Sequence, residues 1–208
     1  MMHPKLLPYF GVCLYTGDVR ADMVGVFQEH GFLNAIAHAT RVGAEARRLA
    51  VRYGADAHDA EVAGWLHDIS AVVPNAERVE LASQLGIDVL PEETRLPMIV
   101  HQKLSAAIAR DVFEVKDPAI LAAIGCHTTL KVSSSLLDQV VFVADKLKWD
   151  QPGDPPYLVE LNAALAGGID YAVWCYLRYL WERRSQLAVV HPWFAQAYAE
   201  WARRFGST

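Results

Sequence analysis

The chain has 208 residues, 53% of them hydrophobic, and 19 Lys and Arg against 24 Asp and Glu give a net charge of −5. That supplies material for a sizeable core, and the acidic balance excludes the broad basic field that a nucleic-acid backbone requires. Cys13, Cys126 and Cys175 are odd in number and form no CxxC pair, which predicts a reducing, cytoplasmic setting, and no apolar run is long enough for a membrane span.

The opening MMHPKLLPYFGVCLYTG has a short apolar stretch, but Pro8 interrupts it and no small-x-small cleavage site follows, so it is not read as an export signal. A first helix is predicted from Asn34 to Tyr53. Ile36, Ala39, Val42, Gly43, Ala46, Leu49, Ala50 and Tyr53 share one face, Arg41, Glu45, Arg48 and Arg52 the other, and Gly54 closes it. His38 falls at the edge of the apolar face. A second helix runs from about Ala57 to Ile69 behind an Asp56 N-cap, and a third from Asn75 to Leu85 stops at Gly86. A fourth begins near Leu96 and Pro97 and carries Ile99, Val100, Leu104, Ala107, Ile108 and Val112 at helical spacing. Asp117 and Pro118 open a helix to about His127, and Ser133 to Ser135 cap LLDQVVFVADKLK. WDQPGDPP, residues 149–156, is the strongest breaker cluster. Two or three aromatic-rich helices follow, with Gly167 and Gly168 between the first two, and Pro192 starts a last helix that ends at Gly206. No segment alternates with period two between turn signals. The predicted fold class is therefore all-α: a compact helical bundle with additional C-terminal helices. Residues 1–29 read as an N-terminal extension, 30–150 as the helical core, and 151–208 as C-terminal helices packed on the same domain.

Chemistry-bearing residues stand out against this apolar background. His67 and Asp68 are adjacent at the end of AGWLHDIS, and His38, His101 and His127 lie in or at the end of other apolar helices. Asp145 sits in VVFVADKL, where a lone carboxylate is expensive unless it is paired or binds a metal. Imidazole and carboxylate together suit first-row transition metals, and six such residues exceed what one tetrahedral zinc uses. A two-metal centre is the natural reading. Adjacent residues on a helix project about 100° apart, so His67 and Asp68 are expected to serve neighbouring metals, with the aspartate bridging. His3, His30, His58 and His191 are set aside, the last as a cap before Pro192, and Cys126 points to a different side of its helix from His127.

The order of these residues, with "HATRVGAEARRLAVRYGAD", "AEVAGWLHD", "VHQKLSA", "AAIGCHTT", "SSLLDQVVFVAD" and "LAVVHPWFAQAY", resembles the HD-domain superfamily of metal-dependent phosphohydrolases. Within it the chain is most similar to the bacterial YqeK-type branch, the symmetrical bis(5′-nucleosyl)-tetraphosphatases. The resemblance covers roughly residues 30 to 205. It implies that His38, His67, Asp68, His101, His127 and Asp145 hold two divalent or mixed-valence transition-metal ions, iron foremost, with manganese, nickel and zinc as alternatives. It implies catalytic roles for His67 and Asp68, and symmetrical cleavage of diadenosine tetraphosphate to two ADP. Ser70 departs from the lysine that members often carry near the dipeptide, and such departures bear on substrate choice.

A water held between two such ions has a lowered pKa and is nucleophilic at neutral pH. Lys103, Thr128 and Lys131 are candidate donors to the substrate phosphates. The aromatics Trp174, Tyr179, Trp181, Trp193 and Tyr198 have the spacing of core residues, although such rings also stack nucleobases. Two other readings remain: a different nucleotide phosphohydrolase, acting on a mononucleotide or an alarmone, and a non-catalytic metal- and nucleotide-binding regulatory module. The absence of a downstream GYP motif counts against a cyclic-dinucleotide hydrolase. The expected partner is a small phosphorylated nucleotide, not nucleic acid or membrane, and the aromatic C-terminal helices offer a surface for a homodimer.

Overall fold

Local capping sets several of the boundaries in the computed structural model, which describes residues 2–206. A short 3-10 turn and α1 (Leu7–Phe10) lead to α2 (Val19–Glu29), whose N-cap Asp18 accepts from the Ala21 amide. Helix α3 (Leu33–Tyr53) ends at Gly54, whose φ of 86° is the left-handed conformation that glycine adopts without strain. Helix α4 (Ala57–Leu66) starts at Asp56, which accepts from the amides of His58 and Asp59. Further on come α5 (Arg78–Gln84), α6 (Pro91–Arg95), α7 (His101–Asp111) and α8 (Pro118–Cys126). Helix α9 (Leu136–Leu147) opens with a reciprocal capping box between Ser135 and Asp138. Helices α10 (Leu158–Gly167), α11 (Ile169–Glu182) and α12 (Pro192–Phe205) complete the chain, and His191 is the N-cap of the last. No strand occurs among the described residues.

The helices enclose one apolar core that runs from Leu6 and Phe10 through α3, α4, α7, α8 and α9 to Phe194 and Trp201 of α12. The residues that the sequence sets apart as an N-terminal extension put Leu6, Phe10, Met23, Val26 and Phe27 fully into that core. At its centre α3 packs on α4 and α9, and α8 packs on α7 and α9. The α3–α4 crossing is close enough to need glycine on both helices. A Cβ on Gly64 would lie 2.6 Å from Gly43 Cα, and one on Gly43 would lie 2.5 Å from the Trp65 ring. This contact brings the middle of α3 against the C-terminal end of α4, where His67 follows.

Several expectations change. The second helix stops at Leu66, not Ile69; Asp68 leaves helical geometry at φ −112°, ψ 17°, and a 3-10 turn follows over Ile69–Val72. The stretch from Leu96 to Val112 is a 3-10 turn over Pro97–Val100 followed by α7, and the stretch from Asn75 begins with a 3-10 turn over Asn75–Glu77. Glu45, assigned to the solvent face of α3, is buried because Lys148, 3.1 Å away, covers it together with Arg48. His38 is also buried, which its place at the edge of the apolar stripe did not suggest.

Candidate metal centre

Five segments converge on one point. His38 comes from the second turn of α3, His67 caps the C-terminus of α4, and Asp68 follows it. His101 begins α7, His127 caps the C-terminus of α8, and Asp145 lies in the last turn of α9. The side chains form two lobes. In the first, His38 Nε2 is 3.1 Å from His67 Nε2, and Asp145 Oδ1 is 3.4 Å from the former and 3.6 Å from the latter. In the second, His101 Nε2 and His127 Nε2 are 3.0 Å apart. Asp68 joins them: Oδ2 is 3.4 Å from His67 Nε2 and 3.8 Å from His38 Nε2, while Oδ1 is 3.2 Å from His101 Nε2 and 3.4 Å from His127 Nε2. The non-helical backbone at Asp68, rather than a 100° projection along a continuous helix, lets neighbouring residues aim at the same centre.

The imidazoles are oriented from behind. His67, His101 and His127 each donate Nδ1–H to the carbonyl three residues earlier, in Gly64, Met98 and Ile124, at 2.7, 2.5 and 2.8 Å. These are carbonyls in the last turns of helices, where an oxygen has a lone pair to spare for a side-chain donor. With Nδ1 held as donor, each Nε2 faces inward and presents a lone pair there once it is free of a proton. Two such lone pairs at 3.0 Å, those of His101 and His127, repel unless a proton or a cation sits between them. His38 Nδ1 is buried with no partner. A set of four inward imidazoles and two carboxylates with inter-ligand distances of 3–4 Å fits metal binding. Within this set, His38, His67 and Asp145 bring one ligand atom each within 4.8 Å of one another, as do His67, Asp68 and His127.

Two polar links brace the second lobe and tie it to the Asp68 turn. Ser70 donates from its hydroxyl to the His101 carbonyl at 2.9 Å and receives from Ser105 at 2.9 Å, so the turn after Asp68 is tied to α7. Gln102 accepts from the Thr128 and Thr129 amides at 3.1 and 3.3 Å, tying α7 to the turn after His127.

Burial and charge divide the protons unequally. Burial alone would lower His67, but the charges and hydrogen bonds of Asp68 and Asp145 outweigh it and raise its pKa to about 10. Burial dominates at His127, whose pKa falls to about 4 with His67 and His101 adding repulsion. Asp68 and Asp145 are pushed upward by burial, yet the imidazoles and, for Asp145, the Lys146 ammonium hold both well below the usual carboxylate range.

The centre opens on the side of Asp68, whose side chain is 31% exposed, into a cavity of about 240 Å³. Thr128 lines it, with Oγ1 3.2 and 3.1 Å from His101 Nε2 and His127 Nε2. Lys103 and Lys131 do not line it. Lys103 is spent on Glu93 and the Asp88 carbonyl, both at 2.8 Å, under the Trp193 ring. Lys131 pairs with buried Asp138 at 3.1 Å. Their ammonium groups neutralise buried carboxylates instead of facing the cavity. Lys146, Trp149, Tyr157 and Tyr176 supply the wall that sequence reasoning missed. Only Lys146 carried a signal, its position beside Asp145. The C-terminal aromatics pack largely on one another, with Trp181 and Tyr198 stacked at 4.2 Å. His191 does cap α12, and the Cys126 thiol is buried, which pushes its pKa upward.

Fold and site together define a helical protein whose histidine–aspartate cluster is suited to divalent metal ions. The HD domain model matches residues 35–150, and the chain belongs to that family of hydrolases. It is 44% identical over 136 residues, 65% of this chain and 69% of the other, to an uncharacterized protein in the pepC 5′ region of Lactococcus lactis subsp. cremoris. It is 38% identical over 112 residues, 53% of this chain and 31% of the other, to a probable nicotinate-nucleotide adenylyltransferase/Ap4A hydrolase of Mycoplasma genitalium. A symmetrical bis(5′-nucleosyl)-tetraphosphatase of Staphylococcus aureus is 30% identical over 113 residues, 53% of this chain and 57% of that protein. The chain thus matches less than two thirds of the length of the last two. The fold matches the crystal structure of a predicted HD superfamily hydrolase involved in NAD metabolism from Clostridium acetobutylicum. The TM-score is 0.81 at 22% identity, over 92% of this chain and 99% of that one. No helix among the described residues is long and apolar enough to cross a membrane.

Proposed function

We propose that the chain is a dinuclear phosphohydrolase that cleaves dinucleoside tetraphosphates symmetrically, diadenosine tetraphosphate giving two ADP. The observation that carries this reading is the division of the Asp68 carboxylate between two imidazole lobes, Oδ2 toward His38 and His67, Oδ1 toward His101 and His127. His38, His67, Asp145 and Asp68 Oδ2 would hold one ion, and His101, His127 and Asp68 Oδ1 the other. Such a pair, when bound, supplies an activated water and positive charge for the phosphate oxygens. Iron is the leading candidate, since imidazole and carboxylate donors accept it along with manganese, nickel and zinc.

The chain's own residues have definite tasks in this reading. The carbonyls of Gly64, Met98 and Ile124 hold the three Nδ1–H groups and so aim each Nε2 at the centre. Thr128, at the junction of the second lobe and the cavity, offers a hydroxyl to a phosphate oxygen. Tyr157 and Tyr176 wall the far side and limit water there. The names of the Staphylococcus aureus and Mycoplasma genitalium relatives support the substrate.

Metal analysis after anaerobic loading with iron or manganese, with a product assay on diadenosine tetraphosphate, tests this. About two metals per chain and ADP as sole nucleotide product are expected, and Asp68→Ala should lose both metal and turnover while keeping its helical circular dichroism. Two metals without turnover of this substrate would overturn the substrate assignment and direct the assay to mononucleotides and alarmones. No bound metal would overturn the centre itself.

A further inference from the structure

Lys146 is the only Lys or Arg on the cavity wall among the described residues, and its side chain is only 10% exposed. Its ammonium donates to Asp145 Oδ2 at 2.6 Å and to the His127 carbonyl at 3.2 Å. It lies over two aromatic faces, 5.2 Å from the Phe142 centroid and 5.6 Å from that of Tyr176. An ammonium has three N–H donors. Two are committed, and the two ring faces take up the remaining charge. Little is left for a phosphate.

We infer that Lys146 is a positioning residue for the first metal lobe: by holding Asp145 Oδ2 it turns Oδ1 toward His38 and His67, and by holding the His127 carbonyl it ties that lobe to the second. The inference rests on the dinuclear reading above and names a partner behind its ligands. The geometry supports it on three counts. Asp145 has one oxygen on Lys146 and the other 3.4 Å from His38 Nε2, so a free rotation of the carboxylate would break both contacts. The His127 carbonyl lies at the buried C-terminal end of α8, where a cation is favoured by the helix dipole. Tyr176, which with Phe142 flanks the ammonium, comes from α11 and lies beyond the residues that match the HD domain. The first lobe is therefore braced from outside the family's common core.

The test is a chelator-competition titration of the full chain with manganese, which reads affinity without turnover. Lys146→Met is expected to weaken one of the two ions by about 10- to 100-fold, the range for partners of a metal ligand, and the other by much less. Tyr176→Leu, which leaves the ammonium in place and removes one face, is expected to weaken the same ion by a few fold, and it serves as the second probe should Lys146→Met fold poorly. In an Asp145→Asn background, Lys146→Met should have almost no further effect, since its action passes through that carboxylate. Wild-type affinity for both ions in Lys146→Met and Tyr176→Leu would overturn the inference and leave the dinuclear reading intact. So would an effect of Lys146→Met that adds in full to that of Asp145→Asn. A wild-type chain that takes up no metal would overturn both, and that result is visible before any variant is made.

Discussion

At the scale of single residues, the proton on His67 is the part of the proposed centre that a bound metal would have to displace. Its pKa of about 10, raised from an ordinary 6.5 by Asp68 and Asp145 against the effect of burial, makes it an imidazolium at pH 7 in the metal-free chain. His127, lowered to about 4, is already neutral and presents its lone pair without losing a proton. For the metal-free fold the sign is that of a raised base. The stabilisation by His67 is full below pH 6.5 and fades as the pH climbs toward 10. For metal binding the sign is opposite, because the proton competes with the ion. Loading at pH 7 should release about one proton at His67, and apparent affinity should rise by about tenfold per pH unit over the neutral range. Calorimetric titration of manganese in buffers of differing ionisation enthalpy reads this directly. No buffer dependence of the heat would show that His67 carries no proton to displace.

At the scale of elements, the glycine crossing of α3 and α4 sets the distance between His38 and His67. Gly64 acts twice there. Its missing side chain lets the helices touch at Gly43, and its carbonyl receives His67 Nδ1–H at 2.7 Å. A methyl group on Gly64 would meet backbone atoms at 2.6, 2.8 and 3.0 Å, none of which can swing away. Gly64→Ala is expected to cost at least about 1–3 kcal/mol of stability and to weaken metal binding, because separating the helices moves the two imidazoles apart. Gly125→Ala is the control. It sits two residues before His127 in α8, and its nearest new contact would be Ala106 Cβ at an ordinary 3.6 Å. There the change should be neutral or stabilise by up to about 1 kcal/mol, the helix-propensity difference. Thermal unfolding of both variants decides it; equal destabilisation would mean that the crossing is not tight. Legibility divides along the same line. The caps at Asp56, Asp117, Ser135 and His191 were readable because each is a local exchange within three residues. The glycine contact was not, since nothing near Gly64 in sequence reveals Gly43 against it. The early end of α4 was also hidden, because AGWLHDIS continues a helical pattern that only the convergence on Asp68 interrupts.

At the scale of the whole molecule, what the sequence concealed are pairings between distant segments. His38, His67, Asp68, His101, His127 and Asp145 were legible because polar ligand types interrupt apolar helices in a telling order. Lys146 signalled only its position beside Asp145, and Tyr157 and Tyr176 were not legible, since their place on the cavity depends on α11 folding back over α9. Lys103 was misread for the same reason: its partner Glu93 is invisible until α6 packs beside α7. Glu93 is fully buried and receives the Leu90 amide at 2.8 Å, Lys103 at 2.8 Å and His191 Nε2 at 3.1 Å. It thereby ties α6, α7 and the start of α12, three segments spread over 98 residues of chain. Burial raises its pKa, but His191, the Leu90 amide and Lys103 together carry it below its ordinary 4.5. A lowered acid stabilises the fold above its unfolded value and loses that contribution as pH falls through the folded value. The loss at Glu93 therefore begins below about pH 4.5. Glu93→Gln should lower stability at pH 7 by about 3 kcal/mol, because it leaves the Lys103 ammonium buried without its counter-charge. The same change should flatten the fall in stability between pH 4.5 and pH 3, since the titrating group is gone. Urea unfolding at pH 7, 4.5 and 3.5 separates the two effects. A variant as stable as the parent at pH 7, with an equally steep acid limb, would mean that this cluster neither holds α12 in place nor sets the acid limit of the fold.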